Sequence, residues 1–275
     1  MKKFTILFAF QIISISLLAQ SMPDIDDIDS VKRVFETIPS FGLYKDNYFS
    51  IGTTIGHRPD SYNSDVKFQI SIRQRLTRHR LPLDTYLFLF YTQKSFWNVF
   101  ENSLPMHDNN YNPGLSWVKF IRKNARFRGI VQFVVEHESN GRDGDESRSW
   151  NKVGFSTSYF INKTLMFHGK AFYPIVDSDG QNKDICNYAG IFQFGVQKII
   201  RDGRWVFDLV LTKRKGWDFN FNTMAEVGVH LFRDHNQYLF LQYYNGYGEN
   251  MLDYNCFQSR IRIGMLIRPE FFSTF

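Results

Sequence analysis

From Asp46 onward the chain is a succession of short segments in which apolar and polar residues alternate. That period-two pattern marks strands whose two faces meet different surroundings. The segments fall at 46–57, 65–78, 84–98, 112–123, 125–139, 150–161, 164–174, 185–200, 203–214, 219–232, 236–246 and 254–268. Twelve is an even count, as bacterial single-chain barrels require. Some connections are very short, as at Asn162 and Lys163, Asp202 and Gly203, or Arg233 and Asp234. Others, over 99–111, 140–149, 175–184 and 247–253, are long and polar, which is the asymmetry between the two rims of an outer-membrane barrel. In the last segment Phe257, Ile261, Ile263, Met265 and Ile267 share one parity, and Arg260, Arg262 and Gly264 the other. The first set is expected to face lipid and the second the lumen. The pattern predicts an all-β chain, a twelve-stranded antiparallel transmembrane β-barrel over 46–275.

Composition agrees. The 275 residues include 29 Phe, 14 Tyr and 5 Trp, an aromatic share of 17%. Such enrichment suits girdles of rings at both membrane interfaces. A soluble β-sandwich of the same pattern would leave large aromatic patches in water. Past the N-terminus no segment reaches the ~18 continuous apolar residues of a helical span. The net charge of +6 is modest, and Lys and Arg alternate with apolar residues instead of clustering, so no nucleic-acid partner is expected.

Met1, Lys2 and Lys3 precede an apolar run from Phe4 to Leu18 and the small or polar residues Ala19, Gln20 and Ser21, which reads as a signal peptide over 1–20. Cleavage after any of those last three residues fits. The acidic, Ser- and Pro-containing stretch over 21–45 reads as an irregular periplasmic N-terminal segment. Cys186 and Cys256 are too few for a disulfide framework, and a pair or two free thiols both remain open.

The chemistry lies around 137–151. Phe133, Val135, His137 and Ser139 share a parity, against Gln132 and Glu136. On the next segment Asn151, Val153, Phe155 and Tyr159 share a parity, against Lys152, Gly154 and Ser156. The apolar members mark the lipid side, so His137, Ser139 and Asn151 are expected on neighbouring strands facing outward. Counting strands from the periplasm puts them at the exterior end. Polar groups converging on lipid are costly unless they serve one another or a substrate. Ser139 is a nucleophile once His137 takes its proton, and Asn151 can orient the imidazole. Each residue alone has a plainer explanation, the His as a strand-end polar residue, the Ser as turn chemistry before Asn140 and Gly141, the Asn as a strand start. The shared parity favours the triad.

His137, Ser139, Asn140, Gly141 and Arg142, followed by Ser147, Arg148, Ser149, Trp150 and Asn151, resemble the active-site signature of the outer-membrane phospholipase A family. The similarity extends to 91–97, to Asn110 through Pro113 and to 246–255, and so covers most of the chain from the third strand onward. Two departures are Glu138, where the family often has Asp, and Phe96, where a second Trp is usual. The resemblance implies a twelve-stranded barrel in the outer membrane of a Gram-negative bacterium, with a serine ester-hydrolase site at the outer leaflet acting on (lyso)phospholipids. It implies Ser139 as nucleophile, His137 as base, Asn151 as orienter and the backbone N–H groups of Ser139 and Gly141 as oxyanion donors. It also implies calcium, held by the Arg142 carbonyl and the Ser147 hydroxyl of one chain and by Ser103 of another in an active homodimer. So few charged ligands predict weak affinity. Asp143, Asp145 and Glu146 read as solvated loop charges. Gln93 shares parity with Leu87, Leu89 and Tyr91, which makes it a candidate for a symmetric dimer contact, unless it faces the lumen. The competing reading is a catalytically silent barrel, a narrow pore or structural protein. A metal-dependent hydrolase built on Glu136, His137 and Glu138 fails because successive strand residues point to opposite faces.

Overall fold

The computed structural model of the protein describes residues 27–77, 80–177, 180–201, 203–232 and 236–269. The expected signal peptide over 1–20 and the terminal Phe275 lie outside the described residues. Helix α1 (Ile28–Thr37) comes first, followed by β1 (Phe41–Leu43), β2 (Asn47–Thr54), β3 (Ser64–Arg75), β4 (Thr85–Trp97), β5 (Met106–Lys123), β6 (Arg126–Ser139), β7 (Ser149–Asn162) and β8 (Leu165–Ile175). A short helix α2 (Ile185–Ala189) then precedes β9 (Phe192–Ile200), β10 (Trp205–Lys213), β11 (Phe221–His230), β12 (Gln237–Gly246) and β13 (Gln258–Ile267). From β2 to β13 each strand pairs antiparallel with the next, and β13 returns to β2 with Arg262 opposite Gly52. The result is a closed twelve-stranded barrel. Strand β1 pairs with 72–74 of β3, beyond the end of the β2–β3 ladder, and extends the periplasmic rim.

The facing follows the parity. Phe49, Ile51, Leu89, Phe155, Phe194, Leu209, Leu241, Ile263 and Met265 are exposed on the outer wall, a belt far larger than the apolar patches that proteins leave in water. The lumen is packed with charge. Arg262, 1% exposed, is held by Asp65 (Nε to Oδ1 3.1 Å, Nη2 to Oδ2 2.9 Å) and by Glu249 (Nη1 to Oε1 2.6 Å). Lys152 meets Glu136 at 3.0 Å and Glu138 at 2.8 Å, and Lys170 meets Glu136 at 2.8 Å. A cavity of about 270 Å³ remains among these groups.

Four elements depart from the sequence reading. The N-terminal segment, expected to be irregular, contains both α1 and β1. Asp27 caps the helix by accepting from the N–H groups of Asp29 at 3.2 Å and Ser30 at 3.1 Å. Ile28, Val31 and Phe35 form one helical face that packs against Tyr86, Phe88, Phe120, Phe127 and Ile130 on the inner wall. The Phe35 ring meets Tyr86 at 4.9 Å and Phe120 at 5.0 Å, both edge-on. Arg75 donates to the carbonyls of Phe35 (2.5 Å), Glu36 (3.1 Å) and Ile38 (3.3 Å), satisfying acceptors that a helix end leaves bare. Strand β5 starts at Met106, within the expected loop, because its leading inward residues Asp108 and Asn110 are polar and look loop-like. The expected strand over 185–200 opens as α2, which ends at Gly190 in a positive-φ conformation (φ +77°).

Candidate active site

Strand β6 carries His137 and Ser139 to the outer rim, and β7 brings Asn151 directly opposite His137. Just past β6, Asn140 N–H donates to Arg148 O at 3.0 Å, so even-numbered residues bond across to β7. His137 and Asn151 are therefore a non-hydrogen-bonded pair, the kind in which side chains stand closer. Their side chains meet, His137 Nδ1 to Asn151 Oδ1 at 2.9 Å. With the amide oxygen accepting, the proton sits on Nδ1, which leaves the Nε2 lone pair free for a hydroxyl proton. Ser139 lies on the same face, half-buried. Among the described residues its hydroxyl makes no hydrogen bond to His137, so two of the three members are joined and the third stands beside them. Catalytic contacts of this type commonly tighten only when substrate binds.

The loop over 140–148 is ordered from within. Asn140, 3% exposed, donates Nδ2 to Glu146 O at 2.8 Å, and its Oδ1 accepts from Arg148 N at 2.9 Å and Arg142 N at 3.4 Å. Gly141 has φ +67°, and a Cβ there would stand 2.9 Å from the Tyr111 ring, so only glycine fits this turn beside the nucleophile. Among the described residues the Gly141 N–H has no partner, whereas Ser139 is paired with Tyr111 across the β5–β6 ladder. The Arg142 side chain is turned away, bonded to Glu146 and to His107 O. Its carbonyl and the Ser147 hydroxyl have no hydrogen-bond partner among the described residues. Asp143, Asp145 and Glu146 are exposed.

Ser103 lies in the turn between β4 and β5, exposed and with φ +69°, and among the described residues no hydrogen bond joins it to the 140–148 loop. Gln93 lies on the outward parity with exposed Leu89. It accepts from Tyr91 Oη and donates to Ser95 Oγ, both at 3.1 Å. Glu136 and Glu138 point inward to their lysines, away from His137, and Trp150 Nε1 donates to Glu138 at 2.9 Å. Among the described residues no cluster of three or more His, Cys, Asp or Glu side chains could hold a metal. Cys186 and Cys256 are both free thiols.

Several supporting residues escaped the sequence reading. Asn182 grips both backbone groups of Ser149, accepting from N at 3.1 Å and donating to O at 2.9 Å, and so steadies the start of β7. Asp108 accepts from Met251 N at 3.0 Å and Leu252 N at 2.9 Å, and His107 Nε2 meets Asp253 Oδ2 at 2.5 Å, so the 247–257 loop is pinned over β5. The His107 hydrogen bond holds the Asp253 carboxyl below the ordinary carboxylate range. The pinning is therefore complete above the ordinary Asp value and is lost as pH falls through the depressed one. Asp253→Asn is expected to speed amide exchange of this loop at neutral pH, and unchanged exchange would show that Asp108 alone holds it.

A family model described as Phospholipase A1 matches residues 41–267. The Phospholipase A1 of Escherichia coli (strain K12) is 34% identical over 216 residues, spanning 75% of this chain and 71% of that one. That of Salmonella typhimurium is 32% identical over 228 residues, spanning 80% and 75%. Among solved structures, outer membrane phospholipase A from Escherichia coli superposes with a TM-score of 0.72 at 26% identity, covering 84% of this chain and 93% of that one. The Salmonella typhi outer membrane phospholipase, solved as a dimer with bound calcium, gives the same TM-score of 0.72, identity of 26% and coverage of 84% and 93%. Closed barrel, lipid-facing belt and matched family together identify the chain as a member of the phospholipase A1 family, an outer-membrane β-barrel phospholipase of Gram-negative type.

Proposed function

We propose that the chain hydrolyses acyl ester bonds of (lyso)phospholipids at the outer leaflet through Ser139, His137 and Asn151, with calcium and with a second copy of itself. The observation that carries this reading is the 2.9 Å bond between His137 and Asn151 on the lipid-facing wall, with Ser139 on the same face. A solved Escherichia coli relative with a TM-score of 0.71 is an active-site mutant in which an asparagine is replaced by alanine, which supports the role given to Asn151.

Ser139 Oγ attacks the ester carbonyl carbon as His137 Nε2 takes its proton, and Asn151 steadies the imidazolium. The N–H of Gly141, without a partner among the described residues, serves the developing oxyanion, whereas that of Ser139, the other expected donor, is directed to Tyr111 in the β5–β6 ladder. His137 then protonates the departing alkoxide of the lysophospholipid. Water, deprotonated by His137, hydrolyses the acyl-Ser139 ester and restores the hydroxyl. A neutral Asn suits this position, because a carboxylate at the hydrocarbon boundary would carry a desolvation cost.

The residues present fit calcium. The Arg142 carbonyl and the Ser147 hydroxyl are neutral oxygens left without partners on the loop that carries Gly141, and calcium takes such oxygens together with water. Bound there, the cation would supply positive charge for the oxyanion. Ser103, apart from this loop within one chain, is assigned to complete the site from a second copy, and outward Gln93 to the contact between copies.

Fatty-acid release from phospholipid in mixed micelles tests the reading. Excess EDTA is expected to lower the rate by about 10²–10³-fold, the usual worth of an oxyanion stabiliser, with recovery on added calcium. Full activity in EDTA would remove calcium from the mechanism.

A further inference from the structure

We propose that Asn112 is a positioning residue for the base, its side-chain amide replacing a backbone donor that Pro113 lacks; the inference rests on His137 being that base. The β5–β6 register sets Tyr111 opposite Ser139 and Gly114 opposite Glu136. A continuous ladder between them would pair Pro113 with His137 and Asn112 with Glu138, and neither pair is formed. Even-numbered residues at this end of β6 bond to β7, so the odd-numbered His137 directs its carbonyl to β5. The residue it would meet there is Pro113, which has no N–H to offer.

Asn112 fills the gap. Its Nδ2 donates to His137 O at 2.7 Å. Asn112 is buried on the lumenal side of β5, in line with buried Asn110 and Asp108. The base is thus held by two asparagines on the strands to either side, its carbonyl by Asn112 and its ring by Asn151. Pro113 detaches the rim end of β6 from its neighbour at the residue that does the proton transfer, and one side chain fastens it again. Without that bond His137 O would lose its donor and the backbone carrying the imidazole would be free to shift, and displacements of ~1 Å are enough to cost rate.

The test compares Asn112→Ala in two backgrounds, the parent and Pro113→Ala, which restores a backbone N–H opposite His137. Full-length protein is assayed in phospholipid mixed micelles with calcium, and heat-modifiable gel mobility verifies a folded barrel. In the parent, Asn112→Ala is expected to lower kcat about tenfold with KM changed less than about twofold. In the Pro113→Ala background the same change is expected to lower kcat less than about twofold, a coupling that a general loss of lumen packing does not produce. The isosteric Asn112→Asp, which exchanges the donor for an acceptor, is expected to lose at least as much as Asn112→Ala and serves if the alanine variant does not fold. Equal losses in both backgrounds, or no loss in the parent, overturn the proposal. Ser139→Ala in the same assay separates the two readings. If it stays active the triad is wrong, and if it is inactive while Asn112 variants are unaffected, only the role of Asn112 is wrong.

Discussion

Replacing Ser139 by alanine is expected to lower fatty-acid release from phospholipid by about 10⁴-fold or more while the barrel stays folded. The hydroxyl has no hydrogen-bond partner among the described residues, so its removal leaves no buried group stranded. The chemistry depends on it, because Ser139 is the hydroxyl two residues along the same strand face from His137, whereas the outward Ser149 lies across on β7. Asn151→Ala is expected to lose less, about tenfold to a hundredfold, since the imidazole remains and only its 2.9 Å tether is cut. Equal and small losses for both variants would mean that hydrolysis happens elsewhere on the barrel. A liposome permeability assay run in parallel distinguishes the silent-pore reading, which expects conductance in place of turnover. The ion-paired lumen argues against conductance.

The second large effect concerns that lumen. Arg262→Met is expected to destabilise the barrel by about 3–5 kcal/mol, because it leaves two buried carboxylates short of their cation. The lower end of that range is expected, since Arg260 still reaches Asp65 at 3.3 Å and Lys67 still reaches Glu249 at 3.1 Å. Urea unfolding from vesicles, with the midpoint and slope both recorded, measures it. Replacing Arg262, Asp65, Glu249 and Lys67 together by apolar residues of similar volume is expected to recover most of the loss, because desolvation largely offsets the attraction in a buried ion cluster and no member of the Lys67–Glu249 pair is left alone. If this fourfold replacement is as unstable as Arg262→Met, the cluster contributes net stability and the argument from desolvation is wrong. Glu249 belongs to the loop over 247–257 that Asp108 also pins, so the single variant is expected to loosen the outer rim as well.

The barrel was readable in the chain because every membrane strand lies between two unlike media and writes that boundary at every second residue. His137, Ser139 and Asn151 could be brought together by the same rule, since parity decides which residues share a wall. Helix α1 escaped it. Its apolar set, Ile28, Val31 and Phe35, is three residues in an acidic stretch and follows a period of 3.6, and the helix owes its place to a pocket of rings supplied from far along the chain. The early start of β5 escaped it because a polar lumen makes Asp108 and Asn110 look like loop residues. The part of Asn112 was hidden for a different reason. Its function is to replace a missing main-chain group, and alternation describes side chains only. The proposed union of Ser103 with the loop that carries Arg142 and Ser147 has no trace in spacing at all, because nothing within one chain requires it.

Helix α1 also bears on how the barrel closes. Among the described residues the buried apolar side chains clustered with it come from β4, β5 and β6, while the seam that completes the cylinder joins β2 to β13. A plug that entered after closure would have to push a capped helix through a lumen already filled with ion pairs. One that docks on the half-built wall meets an open trough of aromatic rings. Seated there, the helix braces the wall of β4, β5 and β6 from within, as a mandrel supports a tube, and leaves the β2–β13 seam to hydrogen bonding alone.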